Sequence, residues 1–447
     1  MFGPATIISA AFALSVAAQA PTTNLQGCVT KYDASVDYFP EKIDSANLTN
    51  LAYTYNKSYK TIVNSFSNET VVLYQCGTPK PDVPGAAQII SVPIQNLTTA
   101  STTIVTYLEL LGKRNAIKHT TSGTLGYISS PCVQQLVATD ASSIIEVDAK
   151  NKTHALEQIA STNVFFHYLT SIAVNTTNAV NFPASADPGV KGRGEWVGFL
   201  GAFFNLEGKA NQISTALATN YAQLAAAANA TSTRPVVAWV EYQKSYGPQY
   251  PEGWKINYKA YQTDFTKAAG AIPYLPATTE GTMSVTGTKT FTTTYSYNSS
   301  AAFIAALAPV DIVIDLSFAN VNSSDFSTSF AIQSASPVKF FNSKQVFMFN
   351  KQISGGNGGN QFFEAATVLQ NVVLADLISV THPEVVGSSY TPRFLRNAFK
   401  DQQSVQTAKE CKDVAAAEVV PIIQVVKASS AQKVATVFAL ALVAALL

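Results

Sequence analysis

Apolar and polar positions alternate in two different rhythms along this chain, and the change of rhythm near its middle divides it. From Glu207 to Arg234 the sequence EGKANQISTALATNYAQLAAAANATSTR has no proline and no glycine after Gly208. Ile213, Leu217, Tyr221 and Leu224 recur near helical spacing, which predicts one long helix. The run PVVAWVEY comes directly after it (235–242), β-branched and aromatic behind a proline, and predicts a buried strand.

On either side, isolated apolar runs alternate with helical stretches. Before the long helix, KTIVNSF (60–66), ETVVLYQ (69–75), AAQIISVPI (86–94) and NVFFHYL (163–169) read as strands. STTIVTYLELLGKRNAI (101–117), YISSPCVQQLVAT (127–139), HALEQIAS (154–161) and GEWVGFLGAFFN (194–205) read as helices or loop into helix. After it, DIVIDLSF (311–318) and two runs within VKFFNSKQVFMFN (338–350) read as strands. YQTDFTKAAGAI (261–272), SSAAFIAALAP (299–309) and the stretch from Phe362 to about His382 read as helical. Such alternation predicts α/β halves with mainly parallel sheets flanked by helices. The expected organisation is an N-terminal lobe over 21–206, a connecting helix over 207–230 and a C-terminal lobe over 231–410, with a ligand cleft between the lobes.

The ends predict a surface protein. Residues 1–20, apolar from Ala5 and closing on Ala18-Gln19-Ala20, read as a signal peptide. An uncharged apolar tail, Val434–Leu447, comes after small residues at 428–431. It is too short to span a bilayer and reads, over 428–447, as a GPI-type anchor signal behind a stalk over 411–427. Asn-x-Ser/Thr sequons stand at Asn47, Asn56, Asn68, Asn96, Asn151, Asn175, Asn229, Asn298 and Asn322, the pattern of a glycosylated eukaryotic secretory protein. Cys28, Cys76, Cys132 and Cys411 lie in no CxxC or Cys/His cluster, so two disulfides are expected, with all three pairings open. Charged residues make up only 13% and the net charge is +1, which argues against a nucleic-acid partner.

No residue run names a nucleophile or base: there is no Gly-x-Ser-x-Gly elbow and no HExxH, so an enzyme is not expected. GGNGGN (355–360) lacks the Lys-Ser/Thr ending of a phosphate loop and reads as a flexible turn. Ligands of open α/β sheets sit beyond the carboxyl ends of strands, so candidates are sought there. Ser101, Thr102 and Thr103 open the first helix, where they could meet an anion or cap the helix. Tyr127, with Ser129, heads the next. His167 and Tyr168 end the FFHY strand. Trp239 and Glu241 share one strand face with Tyr242 on the other, an aromatic platform beside a carboxylate or a packed interface. Asn320, Asn350 and Lys351 come after strands of the second half. Arg393 and Arg396 read as a solvated helix face. No protein metal site or cofactor is expected.

VDYFPEKI (36–43), YNKSYKTI (55–62), VVLYQCGTPKP (71–81), STTIVTYLELLG (101–112), YISSP (127–131), LEQIASTNVFF (156–166), EWVGFLGAFFNLEGKA (195–210) and ADLISVTHPEVV (375–386) run in the order seen in one family. The chain resembles the substrate-binding proteins of bacterial iron-chelate and vitamin B12 ABC importers, in a eukaryotic, fungal-like secreted form. That resemblance implies two lobes on one rigid helix with little hinge motion, and a ligand such as an iron–siderophore complex, haem, a corrinoid or a metal ion. The importers' docking glutamates have no counterpart here, where Thr106 and SSAAF (299–303) stand, so transporter docking is not expected. The function this implies is a cell-surface glycoprotein binding a small ligand, an iron–siderophore or related metal chelate. The alternative is a structural or adhesive glycoprotein that keeps the fold without the ligand.

Overall fold

In the first lobe two sheets lie side by side. The computed structural model describes residues 20–46, 48–168, 176–277, 282–286, 292–318, 320–332 and 338–426. The expected signal peptide, the anchor tail, Asn47 and Asn175 therefore lie outside the described residues, apart from Ala20 at the signal's end. Strands β1 (Leu51–Tyr55), β2 (Tyr59–Asn64), β3 (Glu69–Gln75) and β4 (Gln88–Val92) form a sheet in that order, antiparallel except for β3 with β4. Strands β5 (Leu97–Thr99), β6 (Ile117–Thr120), β7 (Ile145–Glu146), β8 (Val164–His167) and β9 (Ala179–Asn181) form an all-parallel sheet in the order β7-β6-β5-β8-β9. Helices α1 (Ile104–Leu111), α2 (Pro131–Thr139), α3 (Lys152–Ala160) and α4 (Val190–Phe203) join and cover them. The first helix is shorter than its pattern predicts. It stops at Gly112, whose left-handed φ of 72° turns the chain, and residues 117–120 become β6 instead.

The predicted long helix is α5 (Glu207–Asn229), with Ile213, Leu217 and Leu224 buried. Beyond it lie β10 (Val236–Gln243), β11 (Gly253–Lys259), β12 (Ile272–Pro273), β13 (Thr282–Thr286), β14 (Thr292–Tyr297), β15 (Ile312–Asp315), β16 (Val346–Met348), β17 (Gln352–Ser354), β18 (Arg396–Asn397) and β19 (Ser404–Gln406). The main sheet runs β13-β14-β11-β10-β15-β16-β18, with β12 beside β10, while β17 and β19 pair separately. Helices α6 (Ala260–Ala268), α7 (Ser300–Ala306), α8 (Ser323–Ser329), α9 (Lys339–Asn342), α10 (Gln361–Ala365), α11 (Gln370–Thr381) and α12 (Pro383–Val386) flank it. Lys339–Asn342, expected as a strand, is helical, and the helix expected from Phe362 to His382 is broken into two. The fold is α/β with mainly parallel pairing: β10, β15 and β16 are parallel neighbours, with antiparallel strands added at the edges.

Strand residues alternate between two cores. Val237, Trp239, Ile312, Ile314, Phe347 and Phe349 join a core that continues through α5 and α11 into the first lobe. Ala238, Val240, Val313, Val346 and Met348 face a second core under α7, α8 and α9. The lobes thus share one apolar interior.

Two further devices join them. The GGNGGN loop is docked, not free: Asn357 N–H and Ser354 Oγ donate to the carbonyl of Gly126 at 2.8 and 2.9 Å. Gly359 approaches so closely that a Cβ there would stand 1.9 Å from the carbonyl oxygen of Tyr127. The segment after Cys411, expected as a stalk, is laid across both lobes. The disulfides are Cys28–Cys76 and Cys132–Cys411. Arg114 donates to the carbonyls of Val414 and Ala416, Glu418 N–H donates to the carbonyl of Glu109, and buried Asn371 and Asn220 donate to the carbonyls of Pro421 and Ile423.

The start of α5 is held by a fully buried ion pair between Lys60 on β2 and Glu207 in its first turn. Asn24 Nδ2 donates to Glu207 at 2.6 Å and Lys60 donates to Asn205 at 2.9 Å. Removing one partner leaves a buried charge uncompensated. We expect Lys60→Met to destabilise the protein by about 3–5 kcal/mol in denaturant unfolding, and the double variant with Glu207→Gln to recover part of that loss.

At the seam, Ser129 N–H donates to Glu364 of α10 at 2.6 Å, and Glu109 of α1, also buried, accepts from Arg114 at 3.1 Å. Burial pushes the Glu364 carboxyl up to about 8, and the neighbouring Glu109 adds to the rise. A carboxyl raised in the folded state holds its proton there longer than in the unfolded chain. Its contribution to stability is therefore lost as pH rises from about 4 through 8. Relative to wild type, Glu364→Gln should gain stability across that window, by at most about 1.4 kcal/mol per pH unit, and level off above it. Thermal melts of both proteins at stepped pH test this; a gap that does not change with pH would contradict it.

Candidate functional site

Parallel strands β15 and β16 end side by side, and Asp315 at the end of one and Phe349 just after the other open on a cavity of about 250 Å³. Asp315 and Asn350 stand at its floor, and Phe349, Asn360, Phe363 and Gln403 are among its walls. Phe318 is 76% exposed and Phe363 50%, and Val321 is exposed beside them, so the rim is apolar and open. Every described lining residue comes from the second lobe, so this cavity is not the cleft expected between the lobes. The first lobe supports it from behind: Thr103 Oγ1 donates to the carbonyl of Phe363 at 3.2 Å, and Gly126 holds the Asn357 backbone.

The floor is polar and internally bonded. Asp315 accepts from the Ser317 N–H at 2.8 Å, from the Ser317 hydroxyl, and from Asn320 Nδ2 at 2.8 Å. Burial raises its carboxyl to about 6, against those hydrogen bonds, which favour the charged form. Asn350 accepts from Arg396 Nε at 2.8 Å and donates to the carbonyl of Asn320 at 3.0 Å. Among the described residues, Asp315 is the one carboxyl in the lining, and neither Lys, Arg nor His contributes to it.

Of the sequence candidates, Asn350 reaches this cavity directly and Asn320 lies behind it, buried. Lys351 is half-buried next to it, with its backbone N–H and C=O bonded to Phe394 and Ser404. Ser101 Oγ accepts from the Thr103 N–H at 3.2 Å and the Thr102 carbonyl accepts from Val105, so this trio serves the start of α1 and, through Thr103, the seam. Tyr127 is at the seam with its side chain 44% exposed.

The others point elsewhere. Trp239 is 2% exposed: its ring stacks on Phe349 at 5.4 Å, its Nε1 donates to Thr266, and neither face is left for a ligand. Glu241 shares that strand face and lies 3.9 Å from Lys255. Tyr242 turns to the second core, against Trp254 and Phe330, and its hydroxyl donates to Glu252. His167 is buried beside Phe165, with its basicity lowered by burial, and Tyr168 packs edge-on to Phe66. Arg396 is not a solvated helix residue but a buried strand residue, bonded to Asn350, Asp401 and Val321. Arg393 pairs with Glu418 at 3.3 Å. Among the described sequons, Asn56, Asn68, Asn151, Asn229, Asn298 and Asn322 are exposed and Asn96 is half-buried.

Sequence reasoning missed Asp315, Phe318 and Phe363. The signal was present in DIVIDLSF, where a polar residue ends an apolar run at a strand's carboxyl end. Among the described residues no group of three or more His, Cys, Asp or Glu could hold a metal ion, and no helix is long and apolar enough to cross a membrane.

No family model matches the sequence, and no curated protein matches it. Solved structures resemble the fold. A periplasmic binding protein from Veillonella parvula is 13% identical with a TM-score of 0.45, over 65% of this chain and 91% of that one. A periplasmic heme binding protein from Pseudomonas aeruginosa is 12% identical with a TM-score of 0.43, over 69% and 99%. An ABC-type Fe3+-hydroxamate transport system protein from Saccharomonospora viridis is 13% identical with a TM-score of 0.43, over 65% and 93%.

Proposed function

We propose that this chain is a cell-surface glycoprotein that binds a small ligand, an iron–siderophore or related metal chelate, at the carboxyl ends of β15 and β16. The observation that carries the reading is the open cavity there, with a carboxyl and carboxamides below and the exposed rings of Phe318 and Phe363 above. Apolar walls with a few fixed polar groups are what a small-ligand site needs. A chelate fits better than a bare ion, because the described residues of the lining offer one carboxyl and no histidine to build a coordination shell. It would arrive with its metal already coordinated and lay its organic part on the rim.

Charge narrows the class. With Asp315 in the floor and no Lys or Arg among the described residues of the lining, an anionic chelate would meet no partner and one acidic group there. A neutral ferric trihydroxamate suits this lining, and a trianionic ferric tricatecholate does not. The sequons, signal and tail support the placement on a cell surface, through secretion and a GPI anchor. Release of the protein from intact cells by a phosphatidylinositol-specific phospholipase would test that placement.

One observation favours the second reading, a structural or adhesive glycoprotein without a ligand. The cavity, about 250 Å³, is smaller than the roughly 300–1,000 Å³ usual for ligand sites, and much of its floor is already hydrogen-bonded. Titration calorimetry on the secreted protein separates the two. We expect saturable binding of a ferric trihydroxamate, no binding of the tricatecholate, and a loss of about tenfold or more in the Phe318→Ala/Phe363→Ala variant. Heme belongs in the same panel. No heat of binding with any of these compounds, on folded protein, would sink the ligand-binding reading.

A further inference from the structure

A second opening is about twice the size of the one at β15 and β16. A groove of about 510 Å³ lies along the outer side of the connecting helix, between α4 and α5, closed at one end by the segment around Ile43 and at the other by α6. It shares no lining residue with the cavity of Asp315. Its size falls within the usual range for small-ligand sites.

Its walls have a consistent chemistry. Ile43, Leu48, Val190, Leu217 and Tyr221 supply an apolar floor. Three carboxyls, Asp44, Glu195 and Asp264, line it against one ammonium, Lys191. Glu195 is tied in place, accepting from the Thr49 N–H at 2.8 Å and from its hydroxyl at 3.0 Å. Under the floor is an unsatisfied polar group. The Tyr53 hydroxyl is buried with no hydrogen-bond partner and lies 3.6 Å from the point where a Cβ on Gly198 would stand. A buried hydroxyl without a partner is uncommon and asks for an explanation.

The geometry points to a second ligand site in this groove, for a small amphiphile with an apolar body and a cationic amine head. The apolar floor takes the body, and the excess of carboxyls selects an ammonium over a carboxylate. Burial raises both Glu195 and Asp264 above the ordinary carboxyl range, against the nearby charges of Lys191 and Lys267 respectively, and an arriving cation would oppose that rise. Burial, Tyr55 and the nearby Glu207 and Glu195 likewise hold the Tyr53 phenol in its neutral form behind the groove wall.

The test uses the full secreted protein and three probes of equal chain length below their aggregation concentrations: dodecylamine, dodecanol and dodecanoate. Calorimetry should show one saturable site for the amine and at least about tenfold weaker binding of the other two. Glu195→Gln with Asp264→Asn should weaken the amine by about tenfold or more and leave dodecanol unchanged. Ala218 lines the groove from the exposed side of α5, so Ala218→Trp should fill the opening and abolish amine binding without changing the melting temperature. Phe318→Ala/Phe363→Ala should bind the amine normally. Equal binding of all three probes, amine binding that survives Ala218→Trp in a folded protein, or no amine binding to wild type would each overturn the proposal.

Discussion

The pair formed by Lys60 and Glu207 is the contact on which the arrangement of the lobes rests. Neither side chain sees solvent, and both are supplied with polar company: Asn24 and Asn205, with the ring of Phe39 4.4 Å from the ammonium. Burial alone would drive Lys60 toward its neutral form, and the Glu207 charge pushes back. Glu207 also stands in the first turn of α5, where the helix N-terminus favours negative charge. One interaction therefore sets three things together: where β2 lies, where the connecting helix begins, and which way it points. A hydrophobic pair of the same volume could be as stable, but it would not demand one register between sheet and helix.

A connector fixed in this way leaves the lobes poorly placed to hinge. The first core passes through α5 from one lobe to the other without a break. The GGNGGN loop is bonded to Gly126, and the chain from Cys411 to Val426 runs from α2 over Glu109 and along α5 and α11 to Val385. Opening the seam would expose apolar surface and leave Glu364, Asn220 and Asn371 without partners in the same step. A preformed site is what such a frame can offer, and a ligand must fit it as it stands or lie across its rim.

The connecting helix was legible because twenty-three residues of one periodicity outweigh local ambiguity. So were the strands around Val72, Phe166 and Val313. The inward or outward sense of β10 was not. Period two places Trp239 and Glu241 on one face, but a strand covered on both sides gives no contrast by which to tell which face meets a ligand. Trp239 thus looked like a platform and is part of a stack with Phe349 and Phe362. Lys339–Asn342 fails for a related reason, since four residues are too few to show a period. The docked glycine loop is a third kind of miss. Its glycines suggest freedom in isolation, whereas Gly359 is small because the Tyr127 carbonyl comes so near.

The two openings have something in common that composition alone hides. The net charge is +1, yet among the described residues Lys or Arg is absent from one lining and outnumbered by carboxyls in the other. Several of the cations are spent on the frame: Lys60 beneath α5, Arg114 under the last segment, Arg396 behind Asn350 and Arg393 against Glu418. A buried guanidinium satisfied by backbone carbonyls and carboxamides is a structural element. Where positive charge is placed to hold lobes and loops, these two concavities are left neutral or acidic, unlike the opening lined by Arg396 and Lys400. On the proposed readings, selection among ligands would work by exclusion, with anions disfavoured at both of these openings and neutral and cationic amphiphiles accommodated.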